Sequence, residues 1–140
     1  MSAAGYDYFD VAADVGVKAW GSTLSEAFAQ TALGVFALIV DPESAEPREW
    51  REVQAQGETR EALLVNWLNE CLYVHDIEAF VVNRIEFVVF EATRVHARLW
   101  GEDLNPGRHR LGTVVKAATF HQVQVRETDG RWEIRVVLDV

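Results

Sequence analysis

The chain has 140 residues, 49% of them hydrophobic, which fits one domain over residues 1–140 with a sizeable core. Thirteen Lys and Arg against 22 Asp and Glu give a net charge of -9, so the chain as a whole repels phosphate backbones and direct nucleic-acid binding is not expected. Met1–Asp10 has neither the basic nor the apolar region of a secretion signal, the apolar run Ala32–Val40 is too short for a bilayer, and Cys71 has no second cysteine to pair with. A cytoplasmic protein without a membrane segment is therefore expected.

The first informative stretch is Phe9–Trp20, F-D-V-A-A-D-V-G-V-K-A-W, where valines favour extended backbone and Asp14 interrupts them. Asp14 either ends a short strand in an Asx-type turn completed by Gly16, or it has a partner such as a cation. Thr23 with Glu26 forms a capping box before Leu24, Ala27, Phe28, Thr31, Ala32, Val35, Phe36 and Ile39, which recur at helical spacing up to Asp41-Pro42. Residues 41–49 carry two prolines and read as a loop. Trp50, Val53 and Ala55 then suggest a short strand closed by Gly57. Thr59 caps a second helix, with Leu64, Trp67, Leu68, Cys71, Leu72 and His75 on one face, predicted to stop near Asp76.

From there the period changes to two. Phe80–Glu91, Thr93–Glu102, Thr113–Phe120, Gln122–Glu127 and Trp132–Val140 read as strands, and Asp129-Gly130 marks a tight hairpin. Two helices are too few to cover both faces of a parallel sheet. The expectation is an α+β fold: a mainly antiparallel sheet of about seven strands with the two helices packed on one side.

Candidate chemistry is sparse, with no glycine-rich phosphate loop, nucleophile elbow, zinc motif or cysteine pair. At the end of the chain, Asp139 stands beside the main-chain carboxylate of Val140. Either this is a solvated acidic tail, or the strict alternation of Trp132, Ile134, Val136 and Leu138 ties it to the core and two neighbouring anions attract a cation. His75, His96, His109 and His121 read as single structural histidines. Lys116, predicted to lie in mid-strand, is either a snorkelling lysine or a charge aimed at a partner.

Five segments, F-D-V-A-A-D-V-G-V-K-A-W-G with T-L-S-E-A-F behind it, L-L-V-N-W-L-N-E-C-L-Y, G-E-D-L-N-P-G-R-H, V-V-K-A-A-T-F-H and the final V-V-L-D-V, occur in the order and spacing of the archease family, which the chain resembles over nearly its whole length. The family usually reads His-Thr-Ala-Asp where this chain has Val11-Ala12-Ala13-Asp14, and an acid where it has Asn66. The resemblance implies an archease-like fold and a divalent cation held by Asp14, Asp139 and the carboxylate of Val140. Hard oxygen donors suit calcium first, with magnesium or manganese as alternatives. It also implies a partner rather than independent catalysis. That partner is the GTP-dependent tRNA-splicing RNA ligase that joins a 3'-phosphate to a 5'-hydroxyl, whose guanylylation and turnover the protein would promote. Asp10 and Lys116 fall on positions linked to activation. Chaperone-like service to tRNA-processing or tRNA-modifying enzymes is the alternative, and self-association is left open.

Overall fold

A computed structural model describes residues 3–140. In chain order it contains β1 (Gly5–Val11), β2 (Asp14–Gly21), α1 (Leu24–Ile39), a single 3-10 turn (Pro42–Ser44), β3 (Glu49–Gln56), α2 (Arg60–Glu78), β4 (Phe80–Phe90), β5 (Arg94–Asp103), β6 (Ala117–Ala118), β7 (Gln124–Thr128) and β8 (Arg131–Asp139). The strands form two antiparallel sheets. One is ordered β1-β2-β8-β6, with β7 sharing the second edge of β8, and the other is ordered β3-β5-β4. The α+β class with antiparallel strands and two helices is the one expected, but the strands divide between two sheets where a single sheet was expected.

Both helices begin where their caps predict. Thr23 Oγ1 accepts from the Glu26 amide at 3.1 Å while the Glu26 carboxylate accepts from the Thr23 amide at 3.1 Å, which satisfies two of the donors a helix start leaves open. Thr59 accepts from the Ala62 amide at 3.0 Å. α2 runs to Glu78, two residues past the expected end, and stops at Ala79, which takes a left-handed conformation (φ 51°) with no glycine to mark it.

α1 lies against β1 and β2 of the larger sheet and against β4 of the smaller one, while α2 packs on β3 and also touches β6 and β7. This enclosure explains why α2 buries Leu63, Leu64, Val65, Trp67, Leu68, Cys71, Leu72 and Val74, more residues than one helical face holds. Phe28 and Trp67 stack at 5.7 Å in the centre, with Phe90 edge-on to Phe28 and Phe87 beside Trp67. Full burial of a residue such as Phe28 is worth about 1.5–3 kcal/mol. Tyr8 reaches across from β1 and donates to the Gly34 carbonyl at 2.7 Å. Desolvation pushes its hydroxyl pKa up to about 12, so it stays a donor. A side chain at Gly34 would press on Val17 and Tyr6, so glycine is what lets β1 and α1 approach.

Three local expectations are corrected. The turn near the N-terminus is the Ala12–Ala13 connection of the β1–β2 hairpin, with Ala12 at φ 42°. Asp14 opens β2 and Gly16 sits inside it, under the Phe9 ring. The short strand expected to end at Asp14 is β1, and it ends at Val11. The predicted strand Thr113–Phe120 shrinks to Ala117–Ala118, because Gly112 and Thr113 donate instead to the carbonyls of Ile39 and Leu38 at the end of α1. Lys116 is thus exposed and outside a strand rather than in the middle of one.

Candidate functional site

The predicted metal residues meet at one end of the five-stranded sheet. β2 and β8 run antiparallel with Val15 opposite Leu138, so Asp14 and Asp139 occupy the next register positions, just beyond the ladder. Val11 faces Asp14 across the β1–β2 hairpin, while Asp10 faces Val15. Since successive residues of a strand alternate in face, Asp10 lies on the opposite side of the sheet from Asp14. The register therefore sets Asp14 and Asp139 at facing positions, with Val140 next along the chain, and puts Asp10 at the same end on the other face.

Lys116 reaches this end through its backbone. Its amide donates to the Asp139 carbonyl at 2.8 Å, and Ala117 then pairs with Asp139. Two side chains hold the segment. Asn69 of α2 donates to the Ala118 carbonyl at 3.1 Å and accepts from the Ala118 amide at 2.8 Å, replacing the strand that the outer edge of β6 lacks. Thr119 Oγ1 donates to the Val137 carbonyl at 2.9 Å. The role of Asn69 was not foreseen; its place in the L-L-V-N-W-L-N-E segment was the available signal.

Among the described residues, no salt bridge involves the side chains of Asp10, Asp14, Lys116 or Asp139, all of which are partly or fully exposed. Two carboxylates at facing positions repel, and a cation between them removes that cost. Among the described residues no three His, Cys, Asp or Glu side chains gather at a metal-holding separation. Two carboxylates are the side-chain share of such a site, and a third donor has to come from the main chain or from water. Oxygen-only donors of this kind suit a hard cation such as calcium or magnesium over zinc. At the positions where the family pattern differs, Val11 ends β1, Ala12 carries the turn, and Asn66 donates to the Gln56 carbonyl at 2.8 Å, tying α2 to β3.

A second polar centre was not recognised in the sequence. Glu102, only 4% exposed, accepts from Arg108 at 2.9 and 2.6 Å, from the Glu46 amide at 2.8 Å and from His109 Nε2 at 3.1 Å, while Arg48 lies 3.2 Å away. His109 Nδ1 accepts from the Asn105 amide at 2.8 Å, so its proton sits on Nε2 and a neutral ring makes both bonds. Hydrogen bonds from Arg108 first, then from His109 and the Glu46 amide, hold the Glu102 carboxyl pKa near about 2. This clamp anchors the loop that runs from β5 to Lys116. Of the other histidines, His75 bonds the Phe80 carbonyl at 2.9 Å and His96 meets Glu52 at 3.3 Å; both fit the structural roles expected.

Comparison with known proteins bears on the family and the fold. The model of the Archease protein family (MTH1598/TM1083) matches residues 6–140. The chain is 39% identical to protein archease of Thermococcus kodakarensis, over 96% of this chain and 98% of that protein. It is 36% identical to protein archease of Danio rerio, over 96% of this chain and 85% of that protein. The solution structure of Methanobacterium thermoautotrophicum protein 1598 superposes with a TM-score of 0.81 at 35% identity, covering 97% and 99% of the two chains. A Thermotoga maritima crystal structure, described as an archease and possible chaperone, shares the fold with a TM-score of 0.64 at 18% identity over 94% of each chain. On the family match and these identities, the chain belongs to the archease family.

Proposed function

We propose that the protein is a metal-binding activator of a GTP-dependent RNA ligase that joins 3'-phosphate and 5'-hydroxyl ends in tRNA splicing. The observation that carries this reading is the convergence of Asp14 and Asp139 on one sheet end, with the Lys116 backbone fastened to Asp139. In this reading Asp14, Asp139 and the main-chain carboxylate of Val140 hold a calcium ion or a similar hard cation. The ion supplies positive charge that neutralises the facing carboxylates and orders the sheet end. Lys116 and Asp10 meet the ligase from the two faces of that end, and the carboxylates contribute oxygen donors beside the nucleotide that guanylylates the ligase. Nothing here requires independent turnover: the reading includes no nucleophile or general base on this chain.

The test follows labelled guanylate on the purified ligase with GTP and magnesium or manganese, using wild-type protein and the Asp14→Ala, Asp139→Ala and Lys116→Ala variants. Wild type is expected to accelerate guanylylation at less than one copy per ligase. The two aspartate variants lose nearly all stimulation, and Lys116→Ala loses it while still binding calcium. A chaperone acting through apolar surface would tolerate loss of one carboxylate. Full stimulation by folded aspartate variants would therefore replace the activator reading with the chaperone-like one.

A further inference from the structure

Four residues along β2 from Asp14, or roughly 13 Å at strand spacing, the same face of the larger sheet contains a concavity of about 320 Å³. Its wall carries Lys18 from β2, Arg126 from β7, and Arg131 and Arg135 from β8, against only two acids, Asp7 and Glu133. In a chain with a net charge of -9 this is a local inversion of sign.

The arrangement within the wall is unusual for sheet surfaces. Lys18 lies directly opposite Arg135, so two cations face each other across neighbouring strands, a pairing that is destabilising. No carboxylate lies within salt-bridge distance of Lys18, Arg126 or Arg135 among the described residues. Asp7, across β1 from Lys18, accepts instead from the Tyr8 amide at 2.8 Å. Glu133, opposite Arg126, lies 4.0 Å from Arg131. Arg135 rests on an aromatic face, 4.0 Å from the centre of the Phe9 ring, which fixes its guanidinium without neutralising it. The hairpin register sets Gln124 opposite Arg135, adding an amide to the wall.

Lys18, Arg126 and Arg135, three converging cations with no carboxylate at salt-bridge distance, around a hollow at the small end of the range for ligand pockets, match a compact multivalent anion. Guanidinium groups suit phosphate in particular, since their planar N–H donors match its oxygens two at a time. We propose that this concavity binds a phosphate-bearing small molecule, with Lys18, Arg126 and Arg135 as its phosphate contacts. The site shares no residue with the sheet end of Asp14 and Asp139, so it stands or falls apart from the activator reading.

The full chain would be titrated calorimetrically with inorganic pyrophosphate and with ADP, at low and at high salt, alongside Lys18→Gln, Arg126→Gln and Arg135→Gln. Wild type should bind both probes, more weakly as salt rises, and each substitution should reduce affinity at least tenfold. Equal affinity for the two probes means that the site reads the diphosphate alone; tighter ADP adds a nucleoside contact. A melting measurement without ligand guards against misfolding, because Lys18→Gln relieves the facing positive charges and should melt at or above the wild-type temperature. Absence of binding by both probes would overturn the proposal, as would undiminished binding in the three variants. Binding of a single-stranded RNA with no competition from pyrophosphate would assign the surface to a polymer instead.

Discussion

Replacing Glu102 with glutamine tests whether the clamp in the β5–β6 loop holds the structure together. The substitution keeps the shape but removes the charge and turns one acceptor oxygen into a donor facing Arg108 or the Glu46 amide. Breaking a buried ion pair costs about 3–5 kcal/mol when the remaining charge is trapped. Here Arg108 and Arg48 keep 43% and 63% of their side chains in water and can be rehydrated, so the lower end of that range, about 3 kcal/mol, applies. A chain of 140 residues melts with an entropy of roughly 0.3 kcal/mol/K, so Tm should fall by about 10 °C at neutral pH. The pH dependence carries a sign. The folded carboxyl pKa, near about 2, lies below the ordinary unfolded value of about 4.3, so the stabilisation is fully present above that value and is lost as pH falls through the folded pKa. Calorimetric melting of both proteins from neutral pH down to the acid limit of folding would show the gap closing below about pH 4. A Tm drop of less than about 3 °C at neutral pH would refute the reasoning.

Asp14→Asn and Asp139→Asn should each weaken calcium binding at least tenfold, about 1.4 kcal/mol, by calorimetry while circular dichroism stays unchanged. Residues added after Val140 should do the same, since they turn its carboxylate into a neutral peptide; unaltered affinity would remove Val140 from the site. Gly16→Ala would place a Cβ 2.2 Å from the Phe9 ring. It should cost about 1–3 kcal/mol in denaturant unfolding, partly recovered by Phe9→Leu, and an unchanged midpoint would contradict this packing. Cys71 is buried and burial pushes its thiol pKa up, so a disulfide-exchange reagent should label it only as fast as the protein unfolds. Rapid labelling of the native protein would mean that α2 opens locally.

Elements whose local signals agree were readable from the sequence. The Thr23 and Thr59 caps with their apolar periods fixed both helix starts, and alternation located β4, β5 and β8. The misreadings came where distant partners decide. Thr113–Lys116 has the composition of a strand, yet its amides are claimed by the end of α1 and by Asp139. The facing of Asp14 and Asp139 could be expected only through the family resemblance, because the register between β2 and β8 depends on a pairing that spans nearly the whole chain. Glu102 looked like one more acid in an acidic protein; only the fold draws Arg48, Arg108 and His109 around it. Likewise the basic concavity disappears in the net charge, although the hairpin register already set Gln124 against Arg135 and Arg126 against Glu133.

The pairing of β8 with β2 also bears on how the chain is made. Until β8 has been synthesised, β2 has β1 on one side and an open row of backbone donors and acceptors on the other. An unpaired edge bearing Val15, Val17 and Ala19 is a template for strands from other chains. A ribosome that has made the chain only as far as β7 thus holds the helices and the three-stranded sheet with every residue they need, beside a larger sheet that cannot close. Any stall before β8 emerges would lengthen that exposure, so slow translation between α2 and β8 should raise aggregation more than slow translation before β2 is made.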